Sequence, residues 1–474
     1  MIRSVISAIF SPLATKLGFW GHGYNATDPR RKIIDPRQLI GQSRATANQL
    51  LNGSLPVLRA YCRNLERNNP TARAALEGVV SVVVGTGIAL EPDTGDESLD
   101  KDMREMFNRW CESCGVGGES MWELQSLAMR EIFNSGEMVW RIVYDQEAEL
   151  RGELPLRILP LDSEWIADDV QGDGKDQVTT VAGIAVDKLG RPQVYFLRNP
   201  ELTANAEEVP ASAVIHCFER RRSTQNRGEP WLAPLIETLL TERDLVDAEL
   251  KGAVITASLG IAIESDYHEE LDDDTADGDP AQSIGLGSIV RLAPGEKVHA
   301  FGHTRPSQQI APFRQMLRGD IAAPLRIPQR YLDRDVSRAN YSSMRADMID
   351  TERQNVPVRE WFGKGTIARI YKMLVPYMAA KLHRPVPRYD FRLVPDGQPY
   401  VDPLKDAQAA ILAIEGGLST YEAEIGKRGG DYRQVWEQIK KERGLAESLG
   451  INPHGAKGEQ VFASTQEGAN DAAE

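Results

Sequence analysis

The feature that most constrains the fold is a long stripe of apolar residues that begins just after Pro230. These residues recur at helical spacing, while acidic residues and Lys251 occupy the other faces. Pro230 and Pro234 suit the first turn of such a helix, and a helix of ~25 residues is roughly 38 Å long. The stripe consists of Leu232, Leu235, Leu239, Val246, Leu250 and Val254.

A second apolar stripe predicts a partner helix beyond an acidic linker at residues 269–279. Short strands are expected between the two helices, near residues 289–292 and 298–301, and Pro324 and Pro328 should end the second helix. Two long helices therefore flank a small strand-containing insert. The second stripe consists of Ile310, Phe313, Leu317, Ile321 and Leu325.

The residues ahead of Pro230 change from helical to strand periodicity. Helical spacing starts near Leu58, and further helices are expected at residues 99–111 and 121–134, the last ended by Gly136. Five strands with Gly, Pro and Asp between them predict a small antiparallel β unit. The expected strands are residues 138–144, 156–159, 180–186, 194–197 and 214–218.

Helices dominate again after Asn340, with breaks expected at Pro357 and Pro376. Thr420 and Asp431 each begin a capping-box pattern, so the last ordered region should be purely helical. From about residue 452 the chain is polar, which predicts a disordered tail.

Composition limits the classes of protein that remain. A chain of 474 residues is too long for one ordinary core and suggests about two to four packing units. The formal charge of −14 disfavours tight binding to a phosphate backbone, so any contact with DNA should be local and weak. Four scattered cysteines favour a reducing compartment. We expect no membrane span, because no apolar run approaches ~20 residues, and no secretory signal, because Pro12 interrupts the apolar N-terminus.

Motifs for nucleotide hydrolysis or covalent catalysis are missing from the sequence. There is no Gly-x-x-x-x-Gly-Lys-Ser/Thr sequence, no Gly-x-Ser-x-Gly elbow and no His-Glu-x-x-His pair. Gly85-Thr86-Gly87 only begins a dinucleotide loop, because Leu90 stands at the third glycine position, and a turn after a helix is the simpler interpretation. We therefore expect neither a catalytic site nor a cofactor.

Candidate metal ligands are incomplete in each case. Cys111 and Cys114 form one Cys-x-x-Cys without the second pair of ligands that a structural zinc requires. His299 and His303 are four residues apart, but their context is strand-like rather than helical. The acidic stretch from Asp273 imitates a calcium loop and lacks its closing glutamate. We expect no metal site.

Several short tracts carry no catalytic motif and follow one another in a fixed order. From the N-terminus they are Asn68-Asn69-Pro70-x-Ala72-Arg73, Val83-Val84-Gly85-x-Gly87-Ile88, Glu123-Leu124-Gln125-x-Leu127-Ala128, Ser135-Gly136-Glu137, Val214-Ile215-His216-x-Phe218, Gln225-x-Arg227-Gly228, Trp231-Leu232-Ala233-Pro234, Leu292-x-Pro294-Gly295-Glu296, Asn340-Tyr341-Ser342-Ser343-x-Arg345, Asp402-Pro403-x-Lys405-x-Ala407 and Gly429-Gly430-Asp431. In this order the chain resembles the lambda family of tailed-phage portal proteins from about residue 59 to 450. Residues 323–328 depart from the family's Gly-Leu-Gly-Ile-Pro pattern, which predicts a different end for the second long helix.

The resemblance implies an α+β portal fold with a mixed α/β wing, a two-helix stem, a small β-containing clip and a helical crown. The periodicities agree with this order of units. The divisions that we expect are 1–57 for a partly irregular N-terminal arm, 58–228 for the wing, 229–262 for the first stem helix, 263–306 for the clip, 307–328 for the second stem helix, 329–341 for a tunnel loop, 342–400 for wing helices and the return, 401–450 for the crown and 451–474 for the tail.

The tunnel loop is the expected contact with DNA, because it joins the second stem helix to the next helix. Its arginines alternate with aspartates, a pattern suited to weak, breakable contacts with phosphates. Pairing of these charges between neighbouring subunits is an equally favoured interpretation. The residues expected to face DNA are Arg330, Arg334, Arg338, Asn340 and Tyr341.

The family also implies partners. The subunits should form a ring, usually a dodecamer, with head-to-tail contacts at a capsid vertex of the virion, after assembly in the host cytoplasm. A terminase large subunit would dock on the clip, where Arg291, Glu296 and Lys297 are candidates, and would drive double-stranded DNA through the ring. Major capsid and scaffold proteins and a head–tail adaptor are the other implied partners, and DNA would leave through the same ring at infection.

Two other classes stay open at this point. One is an α+β enzyme or nucleotide-binding protein with an unrecognised site, for which Gly85–Gly87 is the candidate. The other is a capsid-morphogenesis protein without a tunnel, which the paired long helices disfavour.

Overall fold

The computed structural model describes residues 45–173, 179–199, 201, 205–258, 262–265, 296–299, 309–337, 339–397 and 402–450. The first 44 residues of the predicted arm, the acidic linker, the strand expected near 289–292 and the predicted tail lie outside these residues.

The described chain begins with four wing helices. They are α1 (Ala47–Asn68), α2 (Pro70–Val83), α3 (Glu97–Cys111) and α4 (Met121–Ser135). Thr46 forms a capping box at the start of α1, so helical structure begins ahead of Leu58, within the expected arm. Asn69 then ends α1 and caps α2, its Oδ1 accepting hydrogen bonds from two backbone N–H groups at 2.9 and 3.0 Å.

Nine strands and a short helix follow within and after these helices. They are β1 (Ala89–Pro92), β2 (Glu137–Tyr144), α5 (Gln146–Leu150), β3 (Leu156–Leu161), β4 (Gly172–Asp173), β5 (Thr179–Val181), β6 (Ile184–Val186), β7 (Pro192–Leu197), β8 (Glu207–Pro210) and β9 (Val214–Phe218). One antiparallel sheet has the order β3–β2–β9, and a meander has the order β4–β5–β6–β7–β8. The single strand expected at residues 180–186 is two strands, because Ala182 and Gly183 turn the chain with φ of 49° and 78°.

Both long helices predicted from the apolar stripes are present among the described residues. They are α6 (Ile236–Ser258) and α7 (Ile310–Ala322), and between them β10 (Ala262–Ser265) pairs antiparallel with β11 (Glu296–His299). This sequence of helix, strand pair and helix matches the stem and clip that the resemblance implies. Helix α6 begins later than residue 229, and α7 lies within residues 307–328.

The chain reverses after α7 through a residue in the left-handed region. Arg326 has φ of 59° and stands where the family pattern has its second glycine. A non-glycine residue costs roughly 1–2 kcal/mol in this conformation. Two contacts offset that cost: an ion pair with Glu219 at 2.9 Å, and a guanidinium 5.6 Å from the ring centroid of Trp231.

The rest of the described chain is helical except for one strand. Its elements are α8 (Arg330–Asp333), α9 (Tyr341–Gly365), α10 (Ile367–Leu382), β12 (Phe391–Val394), α11 (Pro403–Glu415), α12 (Tyr421–Gly426) and α13 (Tyr432–Ser448). The breaks expected at Pro357 and Pro376 do not occur, because α9 and α10 continue through these residues. Strand β12 returns to the wing and pairs antiparallel with β1.

The main core joins the wing helices, the sheet β3–β2–β9, the start of α6 and α10. Its largest fully buried side chains include Phe107, Trp140 and Tyr371, and Phe107 meets Tyr371 edge to face with ring centroids 5.3 Å apart. A smaller core lies between this sheet and the meander. Among the described helices, none combines the length and apolar character needed to cross a membrane.

Candidate functional site

The predicted tunnel loop is partly helical and partly anchored in the wing. Residues 330–333 form α8, whose Leu332 is buried in the main core. Helix α8 lies against α2, where a Cβ added at Gly78 would be 3.2 Å from the Cβ of Tyr331. The open part of the segment is therefore residues 334–340.

The three arginines of this segment differ in their surroundings. Arg330 forms an ion pair with Asp347 of α9 and is only partly exposed, so its charge is engaged within the chain. Arg334 is exposed and left-handed, with φ of 57°, and its guanidinium lies 5.8 Å from the ring centroid of Tyr331. Arg338 lies outside the described residues.

Two aspartates order the backbone of the open segment. The N–H of Asp335 donates to Oδ1 of Asp333 at 3.1 Å, and the N–H of Ser337 donates to Oδ1 of Asp335 at 2.9 Å. Each is an Asx turn, in which a side-chain oxygen takes the place of a backbone carbonyl. The aspartates thus shape the loop as well as alternating with its arginines.

Asn340 and Tyr341 end the segment and begin α9. Asn340 forms a capping box with Ser343 at the start of α9. The hydroxyl of Tyr341 accepts a hydrogen bond from Arg345 at 2.9 Å, and the ammonium of Lys405 lies 5.2 Å from its ring centroid. Tyr341 therefore contacts the first crown helix, a role that its sequence position did not indicate.

The clip candidates are only partly described. Glu296 and Lys297 lie on β11, opposite Ser265 and Glu264 of β10. Arg291 lies outside the described residues.

A buried ionic cluster, which sequence reasoning did not find, lies where the wing meets the approach to α6. Glu137 is fully buried, and its Oε1 accepts from Arg59 Nη2 at 2.7 Å and from Arg227 Nε at 2.8 Å. Its Oε2 accepts from Gly228 N at 2.7 Å and lies 3.0 Å from His216 Nε2. Glu137, His216, Arg227 and Gly228 belong to three of the sequence tracts that carry the family resemblance. These three tracts therefore meet in one buried cluster.

The remaining polar groups of Arg227 and His216 also have hydrogen-bonding partners. Arg227 donates to the carbonyl oxygens of Ala182 and Ser163 at 3.0 and 3.2 Å. The Tyr195 hydroxyl lies 3.3 Å from Nδ1 of His216. In the neutral imidazole, Nε2 therefore donates to Glu137 and Nδ1 accepts from Tyr195.

Burial and charge act on the cluster in opposite directions. Burial raises the pKa of Glu137, but Arg227, His216 and Arg59 overcome this effect and hold that pKa well below its usual range. Burial lowers the pKa of His216, against the opposing effect of Glu137. The cluster thus holds an ionised carboxylate between two arginines and a neutral imidazole.

Two glycines allow this close approach of chain segments. Gly136 has φ of 90°, and a Cβ added at Gly228 would lie 2.0 Å from the carbonyl oxygen of Gly136. Side chains at either position would separate the wing sheet from the approach to α6.

The loop Gly85–Gly87 does not resemble a phosphate site. Its Thr86 donates from the backbone N–H and from the hydroxyl to the carboxylate of Asp396, at 3.1 and 2.8 Å. Trp122 donates to the carbonyl of Gly85 at 2.9 Å. A carboxylate lies where a phosphate would need to bind, so the geometry disfavours the nucleotide-binding alternative.

Among the described residues, no group of three or more acidic, His or Cys side chains is arranged to hold a metal ion. Cys111 is mostly buried and Cys114 fully so, and burial raises the pKa of both thiols, that of Cys114 to about 12. Both cysteines therefore behave as small apolar side chains.

The described residues form a mixed α/β body, a pair of long helices joined by a strand pair, and a set of surface helices. Solved structures with a related chain include the neck of a native gene transfer agent particle computed with C12 symmetry, with a TM-score of 0.45 and 14% identity over 77% of this chain and 91% of that chain. Another is an HK97 family phage portal protein from Corynebacterium diphtheriae, with a TM-score of 0.33 and 15% identity over 74% of this chain and 98% of that chain.

Curated relatives share low identity over long alignments. The portal protein of Escherichia phage N15 is 22% identical over 83% of this chain and 85% of its own length. Portal protein B of Escherichia phage lambda is 23% identical over 57% of this chain and 60% of its own length. A probable portal protein of Halomonas phage phiHAP-1 is 25% identical over 88% of this chain and 86% of its own length.

The model of the phage portal protein, lambda family, matches residues 37–358, and the chain belongs to this family. The family that the ordered tracts predicted is confirmed, and with it the function of a phage portal subunit. Because these relatives are structural portal proteins, the prediction that the chain is not an enzyme is also confirmed.

Proposed function

We propose that twelve copies of the chain form a ring at one capsid vertex, through which a terminase packages double-stranded DNA and through which the DNA later leaves. The observation that supports the ring is the exposure of apolar side chains on the stem. On α6, Leu250 and Val254 are 62% and 58% exposed, and on α7, Phe313 and Met316 are 43% and 54% exposed.

Contact with an adjacent subunit would bury these side chains and so stabilise the ring. Burying a large apolar side chain contributes ~1.5–3 kcal/mol, and the single subunit leaves this gain unused on both stem helices. A head-to-tail contact repeated around a closed ring would cover the same face of every subunit. The family has this architecture, and the chain's exposed stem faces fit it.

The open segment of residues 334–340 is the proposed DNA-facing part of the tunnel loop. Arg334 supplies an exposed positive charge, and Asp333 and Asp335 limit the net charge of the loop. Together with the formal charge of −14, this favours phosphate contacts weak enough for DNA to slide. Arg330 contributes less to these contacts than the sequence suggested, because Asp347 already pairs with it.

The other proposed partners follow from the place of the ring. The clip, with Arg291, Glu296 and Lys297 as candidates, is the proposed docking surface for the terminase large subunit and later for the head–tail adaptor. Major capsid and scaffold proteins are the proposed partners of the wing during assembly in the host cytoplasm. Substitutions at these three positions should disrupt the contact between the clip and the terminase, and measuring that contact is the corresponding test.

Imaging of purified particles tests the ring. Negative-stain or cryogenic microscopy should show closed rings with a central hole, and class averages give their symmetry. Leu250→Glu on the stem should abolish rings, whereas Leu189→Glu, at a wing turn where the leucine is 78% exposed, should leave them intact. Monomers of the unsubstituted chain at high concentration would contradict the proposal.

Packaging assays test the tunnel loop. The double variant Arg334→Ala and Arg338→Ala should form rings but retain or package less DNA than the unsubstituted portal. Arg191→Ala is the control, because this arginine is exposed on a wing turn and pairs only with Asp187 among the described residues. Unchanged packaging by the double variant in intact rings would remove the loop from the mechanism.

A further inference from the structure

A buried carboxylate on the first stem helix is bound by two arginines of the second. Glu242 of α6 is 2% exposed, and its Oε1 lies 3.2 Å from Arg314 Nη2 and 3.2 Å from Arg318 Nε. Its Oε2 is buried without a hydrogen-bond partner among the described residues. A buried carboxylate in this state depends on its arginines, because removing one side of a buried ion pair leaves an uncompensated charge.

One of these arginines also reaches the base of the tunnel loop. Nη1 of Arg318 lies 3.6 Å from Oδ2 of Asp333, the last residue of α8. The cluster therefore has two arginines and two carboxylates, Glu242 and Asp333, and its net charge is zero. Arg318 bridges the two carboxylates and so joins the first stem helix to α8 through a side chain of the second.

The bridge continues along the backbone of the loop. Asp333 presents Oδ2 to Arg318 and Oδ1 to the N–H of Asp335, so the arginine fixes the carboxylate that makes the first Asx turn. Asp335 then accepts from the N–H of Ser337 and makes the second. Each contact orients the group that makes the next one, from the interior of the stem to the exposed residues of the loop.

We propose that Glu242 is a positioning residue that sets the conformation of the tunnel loop through Arg318 and the two Asx turns. Glu242 pairs with Arg314 and Arg318 rather than with the loop itself, and it acts by holding Arg318 where that arginine meets Asp333. A shift of one stem helix relative to the other changes the position of Arg318 and is thereby transmitted to residues 334–337. The inference rests on the proposed function in one respect, that this loop faces the DNA.

Hydrogen exchange on the assembled ring tests the proposal directly. Glu242→Gln keeps the shape of the side chain and removes its charge, and Asp333→Asn removes the charge at the other end of the bridge. Both variants should raise the exchange rate of the amides at residues 333–337 by about tenfold. Asp247→Asn is the control, because Asp247 lies on the same helix in an exposed ion pair with Lys251 at 2.6 Å.

The two variants separate positioning from a general loss of structure. Asp333→Asn leaves the pairs of Glu242 intact, so it should loosen the loop without changing exchange in α6 or α7. Loop exchange equal to that of the control in both variants would overturn the proposal. If Glu242→Gln fails to form rings, Asp333→Asn alone decides: faster loop exchange supports the bridge and unchanged exchange refutes it.

Contact with DNA is measured separately. A photoreactive side chain at Val336, which is 53% exposed, should cross-link to packaged DNA, and Glu242→Gln should lower the yield severalfold. No cross-link in the portal with Glu242 present would refute the DNA-facing role of the loop, while the exchange result would still decide the positioning role of Glu242.

Discussion

Removing the charge of Glu137 should destabilise the wing severely. In Glu137→Gln the side chain keeps its volume, but Arg59 and Arg227 lose the carboxylate that compensates them, at 2.7 and 2.8 Å. The amide nitrogen would also face the N–H of Gly228, which now donates to Oε2 at 2.7 Å. Breaking a buried ion pair from one side costs ~3–5 kcal/mol, and a donor facing a donor adds to this cost.

Thermal melting of the assembled portal, followed by circular dichroism, measures this loss. For a unit the size of the wing, ~3–5 kcal/mol lowers the melting temperature by on the order of 10 °C. The control is Glu207→Gln, which removes a carboxylate that binds Arg141 through two hydrogen bonds of 2.7 Å but is 57% exposed. Exposed pairs contribute ~0–1 kcal/mol, so the control should melt within a few degrees of the unsubstituted protein.

Equal melting temperatures of the two variants would contradict a special contribution of the buried carboxylate. That result would mean that the wing relaxes around the two arginines or admits water, and that burial does not amplify the contribution of Glu137. Melting of Glu137→Gln alone, without its control, would not separate a buried ion pair from a general effect of charge.

Two further substitutions in the same cluster test the charge state of His216 and the close packing at Gly228. Because burial lowers the pKa of His216, the unfolded chain binds a proton that the native chain does not once the pH falls below about 6.5. Native stability therefore falls on acidification, and His216→Gln should flatten the decline of melting temperature as the pH falls below about 6.5. An unchanged slope would be evidence against a neutral buried imidazole. Gly228→Ala places a Cβ 2.0 Å from the Gly136 carbonyl oxygen and should destabilise the folded protein by ~1–3 kcal/mol or more. The control Gly53→Ala, in the middle of α1 with nothing within 4 Å of the added Cβ, should stabilise the folded protein by ~0.5–1 kcal/mol. Calorimetric melting distinguishes the two signs, and equal effects would contradict the close approach of Gly228 to Gly136.

Elements with strong local signals could be predicted from the sequence. The helix expected to end at Gly136 does end there, because that glycine takes the left-handed conformation that a helix end favours. The strand at residues 214–218 matches β9, since its apolar run is bounded by turn residues.

Contacts between distant residues could not be predicted in the same way. Nothing in the residues next to Glu137 indicates Arg59 or Arg227 as partners, because they come from other elements of the wing and from the approach to the stem. The same holds for the loop: the alternation of charges indicated contacts with phosphates, but only the fold shows that Arg330 binds Asp347. The helix break predicted at Pro357 was wrong for a related reason. Proline disfavours a helix interior locally, but the packing of α9 maintains the helix through this residue.

The pairing of β1 with β12 has a consequence for synthesis on the ribosome. Ala89 pairs with Val394, so the two strands of this sheet are roughly 300 residues apart in the chain. At ~5–20 residues per second, the first strand waits on the order of 15–60 s for its partner. During that time the nascent wing presents an open strand edge, which is a template for pairing with the wrong chain. A chain truncated before Phe391 would keep that edge permanently, and chaperone dependence and aggregation, rather than loss of DNA contact, would be its first defect.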